Sequence, residues 1–179
     1  MKRTIKCVIS LILVASTLFA LLMLSSCGIT GSIESFLTSE SYTFKSNDVT
    51  VMVEKDKVYA NNGDVKKYIY YSREEKSYFY CEIKSTGKVT KRPIDSEQYI
   101  VYHGLLVDSV AKTSMDLTSF LQIVNTLEPV DGVYTFGSYK ITEKDGVLTI
   151  TKDKSVITIS DIGATTVKLP EALNGAATE

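Results

Sequence analysis

Val49-Thr50-Val51-Met52-Val53-Glu54, followed shortly by Asn61-Asn62-Gly63-Asp64, is the stretch that decides the fold class of this chain. In an extended chain successive side chains point to opposite faces, so the three alternate valines put one apolar edge on a strand. Asn, Gly and Asp tolerate positive φ, and such a cluster between two alternating runs marks a hairpin. The next run repeats the pattern: Tyr68 and Tyr70 alternate with Ile69 and Tyr71, and Arg73-Glu74-Glu75-Lys76 turns the chain. Tyr78-Phe79-Tyr80-Cys81-Glu82-Ile83 returns, Ser85-Thr86-Gly87-Lys88 turns again, and Val89 to Ile94 can form a further short strand, with Pro93 marking an edge or an end.

On the far side, strands resume after Asp131-Gly132. Val133 to Phe136, Ser138 to Thr142, Val147 to Lys152 and Ser155 to Ser160 are separated by Gly137, Lys144-Asp145-Gly146 and Asp153-Lys154. Asp161-Ile162-Gly163 then leads into a last expected strand, Thr165 to Leu169, where Pro170 ends the fold. Between the two blocks the period changes. Leu117, Phe120, Leu121 and Val124 recur at helical spacing, Asp116 stands ready to cap the first turn, and Glu128-Pro129 stops the helix. Residues 97–111, with Tyr99, Ile100, Tyr102, Leu105, Leu106 and Val107, fit neither period.

The predicted class is therefore mainly β with some helix (α+β): a curled antiparallel sheet or half-barrel of about eight to ten strands with an inserted helical lid segment. The stripe Leu117, Phe120, Leu121 needs a partner, and the hollow of the sheet is the one available.

The N-terminus carries a separate message. Met1-Lys2-Arg3-Thr4-Ile5-Lys6 has three positive charges and no acid, and an uncharged, apolar run extends from Cys7 to Ser26. This is the layout of a secretory signal, although roughly 17–25 apolar residues also suffice for an uncleaved membrane anchor. The run ends in Leu24-Ser25-Ser26-Cys27-Gly28, which resembles the bacterial lipobox. The small serines fit a peptidase cleft, and a Cys alone offers a thiol that can take a diacylglyceryl group. The resemblance implies cleavage before Cys27 and a lipid anchor on Cys27 at the extracytoplasmic side of the cell membrane. The expected organisation is a signal at 1–26, a lipidated tether at 27–40, one β-rich domain at 41–170 and a flexible tail at 171–179. Within the tether, Ile33, Phe36 and Leu37 have helical spacing and can dock on the domain.

Of 179 residues, 20 are Lys or Arg and 21 are Asp or Glu, so no global charge favours nucleic acid. After cleavage at Cys27, 153 residues with 17 basic and 21 acidic side chains would remain, a formal charge of −4. Such a body is held by hydrophobic anchoring and is repelled by an anionic leaflet. With Cys7 lost and Cys27 acylated, Cys81 stands alone and no intramolecular disulfide forms; it reads as a small buried hydrophobe. The absence of disulfides and the Lys/Tyr/Ile-rich composition lean toward a Gram-positive type of envelope. One His and three scattered Cys exclude the usual zinc sites, and single turn glycines make no phosphate cradle.

A curled sheet with a helix inserted before its last strands, together with Asp131-Gly132-Val133-Tyr134, Ser160-Asp161-Ile162-Gly163 and the terminal Thr166-Val167-Lys168-Leu169-Pro170, resembles the LolA/LolB superfamily, which includes lipoproteins of the LppX/LprG type. The resemblance covers about Tyr42 to Pro170. It implies a half-barrel whose hollow takes acyl chains or a lipidated partner, with helices as the lid.

His103 lies near Asp108, Ser109 and Ser114 in sequence, but proximity along the chain is not triad geometry and no Gly-x-Ser-x-Gly elbow is present. The expectation is a non-enzymatic, cofactor-free, lipid-anchored binding protein. Tyr68, Tyr70, Leu117, Phe120 and Leu121 are the expected ligand lining, and Cys27 the lipidation site. The alternative is a surface interaction or assembly module without a cavity, working through exposed aromatic strands.

Overall fold

The turns marked in sequence at 61–64, 73–76, 85–88, 137, 144–146 and 153–154 become hairpins, and the result is a ten-stranded antiparallel sheet that stays open. The computed structural model describes residues 31–46, 49–111 and 115–173; they belong to one compact unit that starts at Gly31. The strands are β1 (Ser41–Ser46), β2 (Val49–Glu54), β3 (Lys57–Asn61), β4 (Val65–Ser72), β5 (Ser77–Lys84), β6 (Val89–Ile94), β7 (Val133–Phe136), β8 (Tyr139–Lys144), β9 (Val147–Lys152) and β10 (Ser155–Ser160). The helices are α1 (Ser32–Thr38), α2 (Ser96–Ala111) and α3 (Leu117–Val124). Asp145-Gly146 shows the turn chemistry directly: φ of 51° and 76° at two successive residues suits the right-handed twist of the flanking strands, and Asp and Gly accept it at low cost.

The strand order is β6-β5-β4-β3-β2-β1-β10-β9-β8-β7. The first and last strands pair in the middle, Phe44 against Ile159, and the free edges are β6 and β7. The chain travels between those edges through α2 and α3. The register aligns Val51, Phe44, Ile159 and Leu148 in one row across four strands, all buried. On this face lie Leu117, Phe120, Leu121 and Val124 of α3, Ile33 and Phe36 of α1, and Val107 of α2. Asp116 caps α3 as expected, its carboxylate accepting from the Ser119 N–H at 2.8 Å, which holds that carboxyl below its usual range. Helix α1 packs against α3 and β9, so Ile33 and Phe36 join the core. It has no capping side chain of its own. Glu143 of β8 accepts from the Ser32 and Ile33 amides at 3.2 and 3.0 Å instead.

Residues 97–111, whose spacing fits neither period, are helical, within α2. One expectation needs correction. The segment Thr165 to Leu169 is not a strand, and Pro170 does not end the fold. After Asp161-Ile162-Gly163 the chain crosses the other face of the sheet as an extended strap. Thr165 meets Thr43 hydroxyl to hydroxyl at 2.9 Å, and the Val167 amide donates to Glu54 Oε2 at 2.6 Å. A short 3₁₀ turn at Glu171–Leu173 lies against β6 and buries Leu173 with Tyr68, Tyr70, Phe79 and Cys81. Period two made 165–169 look like a strand because an extended strap also alternates its sides. Residues 1–30, with Cys27, and 174–179 lie outside the described residues, so the signal, the lipidation site and the rest of the expected tail stand as read from sequence.

Candidate functional site

The expected ligand lining does not assemble. Tyr68 and Tyr70 share one face of β4, under the C-terminal strap, whereas Ile69 points to the face that carries the helices. Leu117, Phe120 and Leu121 lie on that helix side and are 2%, 0% and 0% exposed. The two groups are therefore separated by the sheet itself. A side chain lining a hollow wide enough for water keeps accessible surface, and these three keep almost none. They are core. Tyr70 packs on Phe79 at 5.8 Å and Tyr68 on Tyr59 at 5.0 Å, cross-strand pairs of the ordinary kind.

Instead, α1, α2, α3, β1 and β2 meet around an open pocket of about 250 Å³. Its rim is formed by Leu37, Ser39, Glu40, Lys55, His103 and Thr118, and its floor by Phe36, Tyr42 and Val53, which belong to the core and are nearly closed. The Phe36 and Tyr42 rings stand 4.7 Å apart. Burial first, then the Asp108 carboxylate and Tyr99, push the Tyr42 phenol up to about 12. Burial lowers His103 below its ordinary 6.5, although Asp108 opposes this. Near neutral pH the pocket therefore offers an uncharged phenol and an uncharged imidazole, which can orient a ligand by hydrogen bonds. Ser39 is committed elsewhere: its hydroxyl donates to the Ser41 carbonyl at 2.8 Å and accepts from the Ser41 amide at 3.1 Å. Of the residues considered for a triad, Ser114 and the side chain of Ser109 fall outside the described residues. His103 and Asp108 are five positions apart on α2, too far around the helix to stack at one-turn spacing. Among the described residues no three His, Cys, Asp or Glu side chains form a metal-binding group.

The outer side of α2 is the second feature. Tyr99, Tyr102, Leu106 and Val107 face the core. Tyr99 stacks on Tyr78 at 4.5 Å, Tyr102 on Tyr80 at 5.0 Å, and Arg92 of β6 donates to the Tyr102 hydroxyl at 2.7 Å. The opposite side is apolar too: Ile100, Val101 and Leu105 are 69%, 58% and 59% exposed. With Glu97, Gly104 and Asp108 they form one stripe at i, i+3 and i+4 spacing. A helix that is apolar all round is normally buried all round. Here one side is buried and the other is open. Five of the six large hydrophobic residues exposed among the described ones, these three with Ile123 and Val130, belong to the segment between β6 and β7. No helix of the described residues is long and apolar enough to cross a membrane.

The pocket was missed in sequence because its residues come from positions 36 to 118 on five elements. The signal for the α2 stripe was present, in the apolar residues of 97–111 that fitted no single face. Compared with protein-family models, with curated proteins and with solved structures, the chain matches none.

Proposed function

We propose that this chain is a lipid-anchored, non-catalytic interaction module of the cell envelope, held through Cys27 and engaging a partner with the outer face of α2. The observation that carries the reading is the exposure of Ile100, Val101 and Leu105 on a helix whose other side is already seated on the sheet. An exposed apolar stripe of this kind marks a contact surface in a protein that otherwise buries its large side chains. Holding an acyl chain would instead need an open apolar lining, and Leu117, Phe120 and Leu121 are closed. The positive leader and the sequence Leu24-Ser25-Ser26-Cys27-Gly28 support anchoring. Two acyl chains there would hold the module stably at the surface.

Metabolic labelling with a fatty acid should tag the wild-type chain, and Cys27→Ala should lose the label and keep its leader, residues 1–26. A photo-crosslinking residue at position 105 should give one discrete adduct in cells, and one at position 156, in β10, should give none. Persistence of the label in Cys27→Ala, or identical adducts from both positions, would sink the reading.

The pocket at Tyr42 and His103 favours a second role, retention of a small amphipathic ligand, because polar groups converge there on an apolar floor. Native mass spectrometry of the folded chain against Leu37→Trp, which crowds the pocket from its half-buried rim, should show a bound mass only in the former.

A further inference from the structure

We infer that the occupant of the α2 face is a cationic amphipathic helix, an apolar stripe flanked by Lys or Arg; this rests on the interaction reading above. The argument is the placement of charge. Residues 95–131 contain six acids, Asp95, Glu97, Asp108, Asp116, Glu128 and Asp131, against one base, Lys112, a formal charge of −5. The rest of the chain from Cys27 onward carries 15 acids and 16 bases, close to balance. The whole negative excess of the domain thus sits on the segment that exposes its hydrophobic side chains. All six acids are exposed, and none takes part in an ion pair among the described residues.

Three occupants can be weighed on that charge. A second copy of the chain is disfavoured. Two α2 helices packed antiparallel about a two-fold axis would set Glu97 against Asp108 of the other copy twice over, and parallel packing would set each acid against itself. An anionic leaflet is disfavoured for the same reason, since it repels a segment of charge −5. A cationic partner gains on both counts. Its apolar side covers Ile100, Val101 and Leu105, its cations meet Glu97 and Asp108 at the two ends of the stripe, and Gly104 at the centre leaves room for close approach. The cations also steer the encounter, so association falls as salt rises.

The test uses the full-length chain in detergent and a labelled helix of the same length as α2 built from Leu and Lys alone, with a Leu/Glu helix of identical apolar face as its counterpart. The Leu/Lys helix should bind and the Leu/Glu helix should not. Leu105→Gln should weaken binding at least about tenfold, as truncation of an apolar anchor does. Val156→Gln should leave it unchanged. Glu97→Gln with Asp108→Asn should weaken it at low salt and lose that difference at high salt. Both altered regions are exposed, and an unchanged melting curve verifies that each variant folds. Equal binding of the two helices, or Leu/Lys binding indifferent to Leu105→Gln, overturns the inference. So does a dimer that Leu105→Gln dissolves, or shielding of position 105 by phosphatidylglycerol vesicles. If position 105 crosslinks a discrete partner in cells while the Leu/Lys helix fails to bind, the interaction reading stands and this inference alone falls.

Discussion

His103 carries the clearest single-residue consequence. Its folded-state pKa lies below 6.5 because burial disfavours the imidazolium more than Asp108 favours it. The unfolded chain therefore binds the proton first, and the stability that the neutral ring contributes is complete above 6.5. It is lost as pH falls from there through the folded value. Thermal unfolding followed from about pH 7 down to about pH 5 should show this slope, at most about 1.4 kcal/mol per pH unit for one proton. His103→Phe should flatten it; a slope unchanged in that variant would refute the assignment. Glu143 acts at the same scale. Glu143→Ala leaves the Ser32 and Ile33 amides without their acceptor and should cost about 0.5–2 kcal/mol, as loss of a helix cap does. Hydrogen exchange confined to α1 should report it. Nothing in the local sequence of Ser32–Thr38 announces this cap, because its acceptor lies more than a hundred positions away. The Asp116 cap was legible because it is one residue from the helix it serves.

At the scale of elements, the helices divide by how their apolar residues are spaced. α3 keeps them on one stripe, so both its existence and its inward face could be read from Leu117, Phe120, Leu121 and Val124. α2 defeats the same reading because it has two apolar sides, one used by the fold and one left over. Substitution separates them. Phe120→Ala should destabilise the domain by about 3–5 kcal/mol, whereas Leu105→Gln should stay within about 0.5 kcal/mol. Chemical denaturation of both variants checks the pair, and a large loss for Leu105→Gln would place that residue in the core. Residues 165–173 look in sequence like a strand, an end and a tail, because alternation reports two-sidedness and says nothing of which neighbour supplies hydrogen bonds. Its support of the Tyr70–Phe79 layer is testable through Cys81. The thiol is buried, and burial pushes it up to about 11. In the folded wild type it should resist thiol reagents, and Leu173→Ala should cost about 2–5 kcal/mol and open it to modification. Equal reactivity in both proteins would show that the strap does not guard it.

At the scale of the whole molecule, turn residues and period two were enough for the antiparallel class and most of the hairpins, since those are local properties. They could not supply the pairing of β1 with β10, which joins Phe44 to Ile159 across almost the full domain. Nor could they assign the aromatic residues of β4 and β5 to faces: Tyr68 and Tyr78 look alike in sequence, yet one lies beneath the strap and the other against α2. The expected lining failed for this reason, and the pocket around Tyr42 went unseen for the related one that five elements must first be placed.

The meeting of first strand and last has a consequence for biogenesis. Whether the chain emerges from a ribosome or from an export channel, β1 through β6 arrive before Ser155 to Ser160, so one flank of β1 stays unsealed until then, its peptide groups open to stray annealing. Closing it joins residues more than a hundred positions apart, a kind of contact that slows folding. A nascent polypeptide stalled short of Ser155 should therefore be the aggregation-prone species, and the cell has reason to shield it until the C-terminal hairpin arrives.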